Sequence, residues 1–243
     1  GSSYYGTGST IIAISGGTIE AIGDSAAGIG GGHGSEGSTI TISGGSVTAT
    51  SSNGGAGIGD GFSPYGSTPF STGENGRAVI FASRISDQSS SGKWSGVIFE
   101  DGAGKVYGAN TAPIENFTIS DEYELTIEDG QTLTISKGIT LTNNGTITVN
   151  DGGALVNQGT IIGSGKIQMN GGSTVQTGDG PEITVGQDTT GATAGTDGSV
   201  TLPNGGSATI GSGDNTTTIT TPDGGIITPN DDGSVTIPGG STV

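Results

Sequence analysis

The feature that most constrains this chain is that it nearly repeats itself. Residues 10–32 read TIIAISGGTIEAIGDSAAGIGGG and residues 39–61 read TITISGGSVTATSSNGGAGIGDG. Ser15-Gly16-Gly17-Thr18-Ile19 aligns with Ser43-Gly44-Gly45-Ser46-Val47 at an offset of 28, and Ala27-Gly28-Ile29-Gly30 with Ala56-Gly57-Ile58-Gly59 at an offset of 29. One inserted residue between the two blocks accounts for the difference. A unit recurring at this period cannot bury its apolar face alone and does so by stacking on its copy.

A second, tighter rhythm follows. Leu125/Ile127, Leu133/Ile135, Ile139/Leu141, Ile147/Val149, Leu155, Ile161 and Ile167/Met169 recur, and each pair is separated by one residue. That is the period of a strand with one face buried. Leu125 to Ile147 is 22 residues and Ile147 to Ile167 is 20, room for three short strands per turn. The fold expected is therefore all-β, a three-sided parallel β-solenoid. Asp-Gly at 129 and 151 and Asn-Gly at 144 and 170 suit its corners, because glycine takes positive φ without a Cβ penalty. Hairpins use the same dipeptides. An antiparallel sandwich is thus the alternative, and the two periods favour the solenoid.

Composition removes other classes. Glycine makes up 52 of 243 residues and only 29% are hydrophobic, too little side chain for a helical bundle or a thick-cored doubly wound enzyme. No run approaches the ~20 apolar residues of a membrane helix, so no membrane insertion is expected. Glycine lacks the period of three that collagen needs. Twenty-three acids against six bases give a net charge of −17. Such a chain is repelled by nucleic acid and by anionic membrane. With no cysteine, neither a disulfide scaffold nor a zinc–thiolate site can form.

Three segments are expected. Residues 1–185 form the β-helix. Within them 62–107 interrupts the repeat, as an elaborated coil or an extended loop packed on its side. Residues 186–243 form a Thr/Gly/Asp-rich β-repeat extension or small β unit, in which Gly198-Ser-Val-Thr-Leu-Pro203 echoes Gly233-Ser-Val-Thr-Ile-Pro238.

The paired SGGT-IEA and AGIGGG blocks resemble those of large repeat-built surface proteins of anaerobic Gram-positive bacteria. Trp94-Ser-Gly-Val-Ile-Phe-Glu100, Gly104-Lys-Val-Tyr-Gly108 and Leu141-Thr-Asn-Asn-Gly-Thr-Ile147 are similar to a recurrent module of the same proteins. The resemblance covers about residues 10–180. It implies a right-handed parallel β-helix displayed on the cell surface, and an extracellular location, without naming an activity.

Chemistry-bearing residues are few. The densest acidic run, Asp121, Glu122, Glu124, Glu128 and Asp129, could supply the two carboxylates of a glycoside hydrolase, but turn and strand alternation reads it as a solvated face. His33 is the only histidine and has no companion of metal-ligand type. It reads as an exposed turn residue, and no catalytic residue is assigned. Calcium takes six to eight oxygens from carboxylates and turn carbonyls, and Glu36 and Asp60 beside glycine-rich turns are its candidate ligands; no other cofactor is expected. Thr126 and Thr148 would stack at 22 residues, but Thr146 then meets Gln168, so a threonine ladder of the ice-binding kind fails. Sugar binding needs an exposed aromatic plate beside polar groups. Tyr65, Trp94 and Tyr107 are the candidate plates, all within 62–107, where Arg77, Arg84 and Lys93 also lie. The competing reading is that Trp94 and Phe99 fill a satellite core. The function expected is a non-enzymatic cell-surface adhesin or spacer whose partners are glycans or surface proteins. A carbohydrate-binding module is the alternative, and a polysaccharide lyase or hydrolase comes third.

Overall fold

The structure is a computed structural model. It describes residues 10–35, 38–64 and 66–177, and beyond them only seven short strands. The chain divides into two compact units, Gly1–Phe117 and Thr118–Val243. A 3-10 turn at Ser91–Lys93 is the one helical element among the described residues. Every other regular element is a strand.

In the first unit, β1 (Ile11–Gly23) and β2 (Ile29–Gly30) form one coil and β3 (Thr39–Ser51) and β4 (Ile58–Gly59) the next. β1 pairs β3 in parallel, from Ile11 on Thr39 to Gly23 on Ser51. β2 pairs β4 in parallel, Ile29 on Ile58 and Gly30 on Gly59. The offsets of 28 and 29 expected from the repeat are therefore the rung-to-rung registers. The Ser-Gly-Gly element is a bulge, with register shifts on both sides of Ser15. An extra backbone residue switches the face on which side chains alternate, so the inward residues are Ile40 and Ile42 before it and Val47 and Ala49 after it, all fully buried.

Residues 62–107 continue the stack and are not a loop laid on its side. β5 (Phe70–Thr72) pairs the first half of β3, Phe70 on Ile40. β6 (Ala78–Ala82) pairs the second half, Ile80 on Val47. Together they make a third rung, interrupted where β3 carries its bulge. The Ile29–Ile58 column also goes on, through a parallel bridge from Ile58 to Ile85. β7 (Gly96–Glu100) stacks in parallel on β6, and β8 (Ala103–Tyr107) turns back antiparallel on β7. The short β9 (Asn110–Thr111) follows, and β10 (Phe117–Ile119) spans the boundary between units.

The second unit is the three-sided coil. Its first turn is β11 (Glu124–Ile127), β12 (Thr132–Ile135) and β13 (Thr140–Asn143). Its second is β14 (Thr146–Val149), β15 (Ala154–Asn157) and β16 (Thr160–Ile162); β17 (Lys166–Met169) and β18 (Thr174–Thr177) carry the third. Leu125 lies on Ile147 and Ile127 on Val149, and Ile147 lies on Ile167, all in parallel. Leu133–Leu155–Val175 and Leu141–Ile161 form the columns of the other two faces. Every one of these residues is buried. The two-residue difference between coils arises at a single corner. Ser136-Lys-Gly-Ile139 joins β12 to β13, whereas Gln158-Gly159 alone joins β15 to β16.

Parallel stacking ends at β18. β19 (Glu182–Val185) pairs antiparallel with β18, and β20 (Ala192–Ala194) with β17. β21 (Ser199–Thr201), β22 (Ser207–Thr209), β23 (Thr218–Thr220) and β24 (Ile226–Ile227) continue as an antiparallel meander. β25 (Val235–Ile237) returns to lie parallel with β19. Among the described strands the stacking of parallel coils therefore ends at β18; beyond it β20 to β24 pair antiparallel and β25 pairs parallel with β19.

Candidate functional site

The aromatic segment was the place to look for a binding surface, and its geometry is that of packing. Trp94 is only 4% exposed. Its indole meets Phe70 edge-on at 5.1 Å and Tyr107 edge-on at 5.4 Å. Nε1–H donates to Ser90 Oγ at 3.2 Å, and that hydroxyl donates to Phe70 O at 2.7 Å. Both needs of a buried indole, apolar contact and a partner for its N–H, are thus met inside the protein. Neither ring face is left to stack on a sugar, so Trp94 is not the exposed plate that the sugar reading required. The 3-10 turn places it there: the Trp94 N–H donates to Ser91 O, and the chain then turns into β7.

Tyr107, at the end of β8, is half-buried and packs on the same core. Burial, with the Glu100 carboxylate as the smaller cause, raises its phenol above the usual pKa. The structure thus brings Trp94 and Tyr107 together as neighbours in a cluster. Tyr65 lies outside the described residues. Phe81 and Phe99 stack nearly parallel at 4.7 Å, across the β6–β7 pair. Both residues of the satellite-core expectation are buried, but not together: Trp94 packs into the core of the rungs, with Ile80 and Ile98, while Phe99 lies against Phe81 on the other face of the β6–β7 pair. Arg77, Arg84 and Lys93 are exposed. Arg84 donates to Gly54 O at 2.9 Å, tying its rung to the preceding one.

Three of the acidic residues, Glu124, Glu128 and Asp24, serve the ladder in the same way. Glu124 Oε1 accepts from Thr148 Oγ1 at 3.2 Å, one coil on. Glu128 Oε2 accepts from Asn150 Nδ2 at 2.8 Å, and Asn150 Oδ1 accepts from Asn170 Nδ2 at 2.7 Å. One corner thus carries a Glu–Asn–Asn ladder through three coils. Asp24 accepts from Ser52 Oγ at 3.1 Å and from Asn53 Nδ2. Hydrogen bonds from the Ser89 side chain and then its backbone hold the Asp87 carboxyl below the usual range.

Of the two calcium candidates, Glu36 lies outside the described residues. Asp60 is half-buried and its N–H donates to Ser86 Oγ at 2.8 Å. No group of three His, Cys, Asp or Glu side chains converges among the described residues. His33 is half-buried rather than exposed, with its ring centroid 5.5 Å from that of Phe62. The threonine ladder fails one coil on, but with different partners from those expected. Because the second coil is 20 residues long, Thr148 meets Gln168 and Thr146 meets Lys166.

A feature that site-by-site reading passed over lies on β1. Ile11 and Ile22 are 81% and 75% exposed on the outer face. The residues stacked on them are Thr39 and Thr50. Comparing the two copies position by position would have marked both isoleucines as departures from a polar outer face.

Neither the curated proteins nor the solved structures contain a match to this chain. Residues 12–33 and 40–62 each match the family model described as a beta helix repeat. These are the two coils built from β1–β2 and β3–β4, so the N-terminal region of the chain carries beta helix repeats.

Proposed function

We propose that this chain is a non-enzymatic extracellular surface protein whose β-helix acts as an adhesin or spacer. The observation that carries this reading is the register of the stack. Apolar columns run rung on rung through each unit while the outer faces alternate Thr, Ser, Gln, Glu and Lys. Such a lattice holds a polar flank rigid along its length, and each coil supports its neighbours. Polar groups are tied into ladders between coils, which supports a structural use for them. The resemblance to repeat-built surface proteins points the same way and supplies the extracellular setting. Trp94, which would have been the strongest sugar plate, packs inward, so the carbohydrate-binding alternative rests on Tyr107 and Tyr65.

The test is adhesion without turnover. Beads carrying the full chain are flowed over immobilised polysaccharides and matrix proteins, and soluble polysaccharides are assayed for new reducing ends and unsaturated products. Retention with unchanged polysaccharide supports an adhesin, and no retention leaves the spacer. New reducing ends or unsaturated uronates would overturn the non-enzymatic reading.

A further inference from the structure

Among the described aromatic residues the one exposed ring is Phe62, at 50%, a residue outside the set of candidate plates. It follows β4 on the second rung, and the third rung is stacked after it through the Ile58–Ile85 bridge. Its backbone is tied on both sides: the N–H donates to Ser25 O at 2.8 Å and the carbonyl accepts from Gly34 N–H at 3.0 Å. The residue in the same place of the preceding repeat is His33, whose ring centroid lies 5.5 Å away. The next residue, Ser63, has φ +53°, a left-handed backbone that serine seldom takes. The chain thus anchors the backbone that carries the ring, bends sharply after it, and leaves the side chain outside.

Two polar side chains meet this ring through Gly54. A Cβ on Gly54 would stand 2.6 Å from Phe62 Cδ2, so the Asn53-Gly54 turn fits against the ring only because residue 54 is glycine. Asn53 is exposed. Its N–H donates to Asp24 O at 2.9 Å and its Nδ2 to Asp24 Oδ1. An ionised carboxylate only accepts, which fixes the amide with Nδ2 toward Asp24 and leaves Oδ1 as an open acceptor. From the third rung, Arg84 Nη2 donates to Gly54 O at 2.9 Å. Among the described residues no carboxylate pairs with that guanidinium, so its other N–H groups remain donors for a ligand.

A pyranose has an apolar C–H face and a rim of hydroxyls that both donate and accept. This corner answers each part: a ring for the face, a carbonyl oxygen to accept, and guanidinium N–H groups to donate. Asn53 and Arg84 are already oriented by a bond to a neighbouring rung, and groups held in place lose little freedom when a ligand docks. Two features select a neutral sugar over an acidic one. The Asp24 carboxylate adjoins Asn53, and the net charge of −17 repels a polyanion. Hydrogen bonds of this kind also tie rungs where no ligand is involved, as in the Glu128–Asn150–Asn170 ladder. A tie between rungs has no use for an exposed aromatic ring followed by a left-handed serine; a binding surface does.

We infer that this corner of the first unit is a carbohydrate subsite. A neutral pyranose unit stacks on Phe62, donates a hydroxyl to Asn53 Oδ1 and accepts from Arg84. The inference rests on the adhesin reading and gives it a partner, a neutral glycan, and an address. The contact residues belong to the second and third rungs, so the site does not depend on the leading edge of β1.

The experiment is affinity electrophoresis of the full chain through gels holding a neutral β-glucan, galactomannan or xylan, with polygalacturonate as the charged comparison. At least one neutral gel should retard the wild type. Phe62→Ala should weaken that binding by about tenfold or more, and Arg84→Gln by about threefold or more. Phe62→Tyr, which keeps the ring, should bind as the wild type does. Circular dichroism and urea midpoints check that each variant folds. Where Phe62→Ala fails to fold, Phe62→Leu, which keeps bulk over Gly54 without a ring, decides in its place. Retardation that survives loss of the ring overturns the subsite and leaves a glycan-binding adhesin standing. A wild type that no neutral gel retards overturns the inference, and the adhesin reading falls with it only if matrix proteins also fail to retain the chain. Retardation by polygalacturonate alone overturns the choice of a neutral sugar.

Discussion

The two units solve one problem with different means. In the first unit the two repeat coils lie 28–29 residues apart, with long strands broken by a bulge and closed by Ala-Gly-Ile-Gly. In the second a coil runs 20–22 residues, with strands of three or four and corners of two to four. Glycine serves two different ends, and each unit uses both. A Cβ on Gly28 would stand 2.7 Å from Thr50 O and 2.9 Å from both Ala21 O and Gly57 O, so the next rung's backbone leaves no room for one. Gly138 has φ +86° with nothing within 4 Å of a Cβ; there the requirement is conformational alone. Gly145 in the second unit is of the first kind, since a Cβ there would run into Tyr123 O and Ser120 O, and Gly17 in the first unit is of the second, with φ +84° and nothing within 4 Å, so glycines that look alike in sequence are packing constraints at some corners and turn constraints at others.

The largest effect that would break this comparison is at Gly28. Gly28→Val should cost at least about 4 kcal/mol, the range reserved for steric violation of a packed interior, and leave the first unit unable to fold. Soluble expression and urea unfolding followed by circular dichroism check it; a variant within about 1 kcal/mol of wild type would show that the corner yields. Trp94→Ala comes next, at about 3–5 kcal/mol for a buried aromatic. Since Trp94 is the only tryptophan, its emission in the wild type should be that of a buried indole and should not shift on titration with soluble polysaccharide.

In the second unit, Ile147→Ala should cost about 2–5 kcal/mol, and Thr148→Ala, one residue on but facing outward, under about 0.5 kcal/mol. Equal midpoints in urea would contradict the face assignment. Gly138→Ala sharpens the contrast with Gly28, because strain in left-handed backbone without a clash costs only about 1–2 kcal/mol. The smallest effect is alkaline. Tyr107 has its pKa raised by burial and then by Glu100. The neutral phenol is the form the fold favours, so this contribution is whole below the unfolded pKa near 10 and lost as pH rises through the higher folded value. Tyr107→Phe should flatten the stability profile in that window, and ultraviolet titration should show one tyrosine ionising late.

Much of this architecture was legible because the side-chain period of a strand and the length of a coil are both written in one dimension. Leu125, Ile147 and Ile167 reveal a column because nothing else explains their spacing. The third rung of the first unit was not legible, because Phe70–Thr72 and Ala78–Ala82 divide the job that β3 does in one strand, and the intervening turn destroys the period. Trp94 illustrates a different limit. Its residue type suits a sugar plate and a core equally well, and only the Ser90 hydroxyl and the flanking Phe70 and Tyr107 rings, brought from other rungs, decide where the indole points. The turn-back at β8 and the end of parallel stacking after Thr177 depend on which edge a strand chooses, a choice that Asp-Gly and Asn-Gly turns leave open.

The corner between the second and third faces has a consequence for how such a chain can change. Four residues turn it in one coil and two in the next, yet Leu133 still lies on Leu155 before it and Leu141 on Ile161 after it. A coil therefore absorbs a change in length there without passing it to its neighbours. Insertions at Ser136–Ile139 should be inherited and tolerated where the same insertion within a strand would throw every later side chain onto the wrong face. New surface chemistry can be tried at that corner, one loop at a time, on a scaffold that does not register the difference.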